Sequence, residues 1–164
     1  MLTIRLSHEL YDEALCDLRR LHTHAAERVG FLYGRLVSAR EPIILMKRYW
    51  PVPDHYYVQD FSVGARIHGD AIRAAMQSVL NTGDGVFHTH LHERPGRPEF
   101  SHVDRRELPR FIPAFQTVGR GQATGLFLFS SDSATADIWL PGQNFPERVT
   151  RMSVVGFPLR FMGG

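Results

Sequence analysis

Apolar residues recur at helical intervals in two stretches of the chain, and this spacing predicts two amphipathic helices. The first covers residues 8–24 and follows Ser7, a suitable N-cap. Its apolar face consists of Leu10, Ala14, Leu18 and Leu21. The second covers residues 66–80 and ends near Asn81 and Gly83. Charged residues separate the apolar positions, so each helix is expected to pack on a sheet through one face.

Short apolar runs bounded by proline or glycine predict the strands of that sheet. These runs cover residues 27–37, 41–53, 60–65 and 83–92, a hairpin at 125–142 and an edge strand in the tail, 151–164. Residues 101–112 begin like a helix whose length is limited by Pro109. The order of the elements predicts a mixed α/β fold in a single domain, 1–164, with helices against one sheet.

The composition is that of an ordinary globular protein, and it argues against several classes of function. No apolar run approaches the roughly 20 residues that span a bilayer, and the first residues lack the apolar core of an export signal. The single cysteine, Cys16, allows no intramolecular disulfide and suits a reducing compartment. We therefore expect a cytoplasmic protein. With a net charge of +2 and no stripe of arginines, neither a nucleic acid nor a membrane is expected as a partner.

Residues 87–104, FHTHLHERPGRPEFSHVD, contain four histidines, two glutamates and one aspartate. Alternate residues of a strand point to the same face, so His88 and His90 would present two imidazoles side by side, with Thr89 facing away. That spacing suits two ligands of one metal ion. His92 continues the same face if the strand extends so far. The alternative is a polar loop that is rich in histidine by chance.

Ser101 and Asp104 are three residues apart, at the start of the predicted short helix. Alone, this spacing is typical of a capping box. Beside two strand histidines, Asp104 is also a candidate third ligand, and a His-His-Asp set leaves one tetrahedral position open for water, as in catalytic zinc sites. Such a site needs a base. Glu27, at the junction of the first helix and the following strand, is the candidate, although a lone glutamate there is usually a solvated helix-end residue.

These elements follow one another in a recognisable order, which is Glu27 with Gly30, Leu32 and Gly34, then His88-Thr89-His90, then Ser101-x-x-Asp104. Together they resemble the JAMM motif of the JAB/MPN-domain metalloproteases, in a compact bacterial form. The segment YWPVPDHYYVQDFSV, residues 49–63, is similar to the one that these domains carry between the motif halves. The resemblance covers nearly the whole chain. It implies a curved β-sheet flanked by two main helices, plus a short helix after the His-x-His strand.

The resemblance also implies a site and an activity. Zn²⁺ would be held by His88, His90 and Asp104, Glu27 would act as general base and then general acid, and Ser101 would stabilise the oxyanion. The substrate would be a ubiquitin-like protein or its conjugates, cleaved after a C-terminal glycine and bound as an extended strand. Relatives of this kind serve ubiquitin-like conjugation or the maturation of sulfur carriers. A cofactor beyond zinc is not expected.

The chain departs from the family pattern between the second histidine and the serine. Ten residues, 91–100, separate them, which is more than is usual in the family, and the first of these is Leu91 where proline is common. The extra length lies in ERPGRP, residues 93–98, which has the turn chemistry of a surface loop. The longer spacing leaves three residues as alternative ligands, namely His92, Glu93 and His102.

Other readings of the same residues remain open. A domain of this type can be a non-catalytic scaffold. A zinc deaminase would need a second cysteine, which this chain lacks. Cys16 lies in a predicted amphipathic helix and is expected to pack there instead of acting as a nucleophile. Gly163 and Gly164 have the form of a ubiquitin-like tail; we hypothesise that they occupy a substrate groove as a product mimic, with chance as the alternative.

Overall fold

One nine-stranded sheet organises the part of the chain described by the computed structural model, residues 1–21, 23–38, 40–149 and 151–162. The strands are β1 Thr3–Ser7, β2 Val29–Ser38, β3 Ile43–Pro51, β4 Gly85–Leu91, β5 Thr124–Phe129, β6 Ala134–Trp139, β7 Glu147–Arg148, β8 Arg151–Val155 and β9 Arg160–Met162. Their order across the sheet is β7-β6-β5-β4-β2-β3-β1-β8-β9. Gly163 and Gly164 lie outside the described residues, so the hypothesis about them stays a prediction.

Helices cover both faces of this sheet. They are α1 His8–Leu18, α2 Gly69–Thr82, α3 His102–Glu107 and α4 Ile112–Val118. Alternate residues of β2 point to opposite faces; Leu32 packs in the apolar cluster of α1, whereas Phe31 and Tyr33 pack in the cluster of α2. The predicted mixed α/β fold is therefore confirmed. Within the described ranges, no helix combines the length and the apolar character needed to cross a bilayer.

The first helix is shorter than the pattern predicts, because it ends at Leu18 and not near residue 24. Arg28 is 3% exposed and donates hydrogen bonds to the carbonyl oxygens of Arg20 (2.6 Å) and Leu21 (3.2 Å). These carbonyls therefore accept from a side chain and not from the next helical turn. As a consequence Leu21, predicted on the apolar face, is 96% exposed. Cys16 is also exposed, so the packing role expected for it is wrong.

The strand predicted at residues 60–65 is wrong, because this segment is an irregular excursion that we call the 58–66 loop. Its base is closed by a hydrogen bond from the Val58 amide to the Arg66 carbonyl (2.9 Å). Inside it, the Asp60 carboxylate accepts from both the amide (3.0 Å) and the hydroxyl (2.6 Å) of Ser62. Such local bonds from side chain to backbone compete with strand pairing.

The chain after β4 contains more helix than predicted. A 3-10 turn, Leu108–Phe111, follows α3 and contains the limiting Pro109, and α4 then starts a new helix that the sequence analysis missed. Ile112 and Phe115 are buried, as expected for core residues, while Phe111 is partly buried. Strand β1 was not predicted. The hairpin of β5 and β6 is confirmed, whereas the tail, predicted as one edge strand, forms two antiparallel strands, β8 and β9, at the edge of the sheet.

Strand β4 positions the histidines. It pairs antiparallel with β2 and parallel with β5, and every one of its residues is buried. Its register places Val29 opposite His90 and Phe31 opposite His88. Glu27, two residues before Val29, is therefore directed toward the end of β4 where His92 follows.

A substitution at Gly85, the first residue of β4, tests how closely this strand packs against its neighbours. A Cβ at position 85 would lie 1.9 Å from the Ala123 carbonyl oxygen, a backbone atom that cannot rotate away. We expect Gly85→Ala to lower the free energy of unfolding by about 1–3 kcal/mol, as overpacking of a core does. Urea denaturation measures the change. Gly69→Ala is the matched control, because the nearest atom to its Cβ is Arg73 Nη1 at 3.9 Å; an equal loss in both variants would contradict the expectation.

Candidate metal centre

Acidic and imidazole side chains from separate segments converge beyond the end of β4. His90 Nε2 lies 3.4 Å from Asp104 Oδ2, and His92 Nε2 lies 3.7 Å from the same oxygen and 3.9 Å from Glu27 Oε1. Glu27, His90 and His92 each offer a ligand atom within 4.8 Å of the others. This group could bind a metal ion, and Asp104 borders it.

His92 joins the group because strand pairing continues past β4. Its amide donates to the Phe129 carbonyl of β5 (3.0 Å), which keeps the alternation of side chains intact for one more residue. The ring of His92 is 5.0 Å from that of His90. From the sequence, His92 was only an alternative ligand. The two-residue spacing from His90 to His92 indicated a shared face, but it did not show where strand β4 ends.

His88 lies deeper than the other two imidazoles. It is 4% exposed, its ring is 5.8 Å from that of His90, and it contacts the ring of Phe31 edge-on at 5.6 Å and that of Phe111 by stacking at 6.1 Å. His88 still borders the same cavity as the group. The structure therefore places His88 beside the group of Glu27, His90 and His92 and not within it.

The buried imidazole nitrogens are the strongest sign of a ligand site. Within the described part of the chain, Nδ1 of His88 and both ring nitrogens of His90 are buried without a hydrogen bond of good geometry, and the nearest carboxylate oxygen to His90 Nε2 is Asp104 Oδ2 at 3.4 Å. Buried polar groups are nearly always satisfied, since leaving them unpaired costs free energy. A metal ion accepts the lone pair of a neutral imidazole, so the residues present fit a metal ion.

Asp104 forms the capping box that its spacing suggested and also lies beside the candidate metal group. Ser101 Oγ accepts from the Asp104 amide (3.1 Å), and Asp104 Oδ2 accepts from the Ser101 amide (2.8 Å), which completes a capping box. The cap thereby holds Oδ2 beside His90. Burial alone would raise the pKa of Asp104, but its interaction with His90 and the bonds from Ser101 hold that pKa well below its usual range. Asp104 is therefore ionised at neutral pH.

The neighbouring histidines are neutral at the same pH. Burial, followed by the nearby His90, lowers the pKa of His88 to about 3. The same two causes, in the same order, lower the pKa of His92. Neutral imidazoles and an ionised carboxylate are the protonation states that metal binding requires.

The long connection between His90 and Ser101 is anchored to the hairpin of β5 and β6. The Gly96 amide donates to Asp132 Oδ1 (2.7 Å), and the Ser131 amide donates to the Arg94 carbonyl (3.0 Å). Of the other alternative ligands, Glu93 forms an ion pair with Arg19 (3.4 Å) and His102 is exposed at the start of α3. The extra residues are thus held at the surface, outside the ligand group.

Two cavities meet at the group. One cavity, of about 610 Å³, is lined by the 58–66 loop and by the apolar side chains of Phe61, Ile67, Leu108 and Phe111. It is also lined by all six candidate site residues, which are Glu27, His88, His90, His92, Ser101 and Asp104. The other, of about 460 Å³, is lined by Arg19, Arg20, Arg28 and Arg94. Glu27 and His92 border both cavities. A bound molecule could therefore extend to either side of the group.

Comparisons with known proteins leave the identity of the site open. No protein-family model matches the chain, and no curated protein matches it. The solution structure of protein DSY2949 from Desulfitobacterium hafniense is similar over 89% of this chain and 89% of that one, with 18% identity and a TM-score of 0.48. That degree of likeness assigns no activity.

Burial of His88 predicts a dependence of stability on pH in the metal-free protein. Its pKa is about 3 when folded and about 6.5 when unfolded, so between these values the unfolded chain binds a proton that the folded chain does not. Stability is then unaffected above about pH 6.5 and falls as the pH decreases, by about 2 kcal/mol at pH 5. Urea denaturation at pH 7 and pH 5 measures this loss. His88→Gln should reduce it, and an unchanged loss would show that another group is responsible.

Proposed function

We propose that this chain is a zinc-dependent peptidase or isopeptidase of the JAB/MPN type, which hydrolyses the bond after a C-terminal glycine of a ubiquitin-like protein. The observation that carries the proposal is the convergence of Glu27, His90 and Asp104 at one cavity, from three distant segments of the chain. The motif that these residues resemble requires that same association. The JAB/MPN arrangement of the sheet and helices is part of the proposal.

The donor set suits zinc. Imidazole nitrogen and carboxylate oxygen are ordinary Zn²⁺ ligands, and three protein ligands leave one position open. The motif assigns His88, His90 and Asp104 as ligands, whereas the distances favour His90 and His92 with Asp104 or Glu27. When bound, zinc would lower the pKa of a water molecule and polarise the carbonyl of the substrate.

The side chains around the ligands supply the remaining functions. Glu27, whose Oε1 lies 3.9 Å from His92 Nε2, would accept the proton of the attacking water and return it to the leaving nitrogen. Ser101 Oγ accepts a hydrogen bond from Asp104, which leaves its own O–H available for the oxygen of the substrate carbonyl. Ile67 and Phe111, both partly buried, give the cavity an apolar wall beside these groups.

The substrate class is suggested by the motif, and the shape of the access to the group is compatible with it. A glycine tail is narrow enough to reach a group that lies below the surface between two cavities. The 58–66 loop borders the larger cavity and could bind such a tail through backbone groups. A conjugate of a ubiquitin-like protein and the precursor of a sulfur carrier both present this tail. The alternative is a non-catalytic scaffold of the same fold.

Metal content decides between the two ligand sets. We expect about one zinc per chain, lost in His90→Ala because His90 belongs to every ligand set. Asp104→Ala should also lose zinc if Asp104 is the carboxylate ligand, and should keep it if Glu27 takes that place. Mass spectrometry on protein purified without chelators and supplied with zinc measures it. Loss in His88→Ala with retention in His92→Ala supports the motif assignment, and the reverse supports the shifted set. His102→Ala is the control that should keep its zinc; no zinc in the parent protein would argue against the proposal.

Removal of the proposed base separates catalysis from metal binding. Glu27→Gln should keep zinc if Glu27 is not a ligand and lower cleavage by on the order of a hundredfold or more. Ser101→Ala should lower it by a similar factor through loss of one oxyanion donor. The assay is cleavage of a ubiquitin-like protein extended beyond its terminal Gly-Gly. Unchanged turnover by Glu27→Gln would rule out its role as base, and an inactive zinc-loaded parent would favour the scaffold.

A further inference from the structure

Gly64 of the 58–66 loop lies directly against the carboxylate of Glu27. A Cβ at position 64 would be 2.3 Å from Oε2, 2.6 Å from Cδ and 3.1 Å from Oε1 of Glu27. Unbonded heavy atoms pack at about 3.5–4.0 Å, so any side chain at this position would overlap the carboxylate. The three closest atoms all belong to Glu27, and the contact therefore concerns this one side chain.

Backbone conformation does not explain the glycine. The glycines with positive φ are Gly83, Gly96, Gly121 and Gly142 in the described part of the chain. Gly64 is not among them, so its backbone suits any residue. What position 64 requires is empty space toward Glu27.

The loop cannot withdraw to make room. The Glu27 amide donates to the Gly64 carbonyl at 2.7 Å, which joins the two backbones at the point of contact. The Asp60 amide donates to the His24 carbonyl at 3.3 Å, and the Asp60 carboxylate pairs with Arg66 at 3.6 Å. The loop is thus tied both to the segment before Glu27 and to itself.

We propose that Gly64 is a positioning residue, whose missing side chain lets the Glu27 carboxylate lie beside the imidazoles of His90 and His92, with Oε1 3.9 Å from His92 Nε2. The inference rests on the proposed function in so far as Glu27 acts there as the base. Because the carboxylate is the terminal group of a side chain that can rotate about its χ angles, an added methyl group displaces it and leaves the backbone in place. A catalytic group misplaced by about 1 Å costs on the order of a hundredfold in rate.

The test compares Gly64→Ala with Gly69→Ala, in which the new methyl group has open space. Zinc content and thermal stability are measured first in both variants and should match the parent. Gly64→Ala should then lower kcat by on the order of a hundredfold with little change in KM, while Gly69→Ala turns over like the parent. The crystal structure of Gly64→Ala should show the Glu27 carboxylate turned away from His92.

A double-mutant cycle with Glu27→Asp tests whether the effect acts through Glu27. The shorter aspartate withdraws its carboxylate from position 64, so Glu27→Asp should cost far less activity in the Gly64→Ala background than in the parent. Independent, multiplied losses would overturn the proposal, as would full activity or loss of zinc in Gly64→Ala. If the parent cleaves no substrate, the proposed function fails, yet the displaced carboxylate in the crystal structure would still support the positioning role and an undisplaced one would overturn it.

Discussion

Burial of unpaired imidazole nitrogens in the middle of the sheet is the constraint around which the site is arranged. Strand β4 lies between β2 and β5 with both faces covered, so a histidine on it cannot reach bulk water for a partner. Both nitrogens of His90 are left without one among the described residues. The capping box of α3, the start of β2 and the 58–66 loop all bring polar groups to this point. A buried polar group left in this state implies a partner that the protein chain itself does not supply.

Much of the fold could be predicted from sequence because periodicity reports which face of an element is buried. It could not report contacts between distant residues that override it. Just beyond the end of α1, the carbonyls of Arg20 and Leu21 accept hydrogen bonds from Arg28, a residue further along the chain, so the helix does not continue to residue 24. Residues 60–65 have the apolar content of a strand, but the Asp60 side chain bonds locally to Ser62 and prevents pairing. Pro109 correctly limited α3, whereas the buried positions of α4 follow too closely after it to stand out as a separate pattern.

At the candidate site, too, some features could be predicted from the sequence and others depended on contacts between distant residues. The motif predicted which residue types would be close to one another, and Glu27, His90 and Asp104 do lie together. Whether His88 or His92 lies within the group depends on where β4 ends and on aromatic packing by Phe31 and Phe111. Neither of these can be predicted from the spacing of the histidines. Gly64 gave no signal at all, since a glycine in an irregular segment is unremarkable until the side chain that it faces is known.

The position of Glu27 and His92 between two cavities has a consequence for how bound molecules enter and leave the site. A pocket with one mouth must release one fragment of a divided chain before the other can leave. If the proposed peptidase activity holds, two cavities that share Glu27 and His92 impose no such order, because each fragment can leave through its own cavity. The two sides also differ in character, since one combines apolar side chains with carboxylates and imidazoles and the other is rich in arginine, so a polymer lying across the group would have a preferred direction.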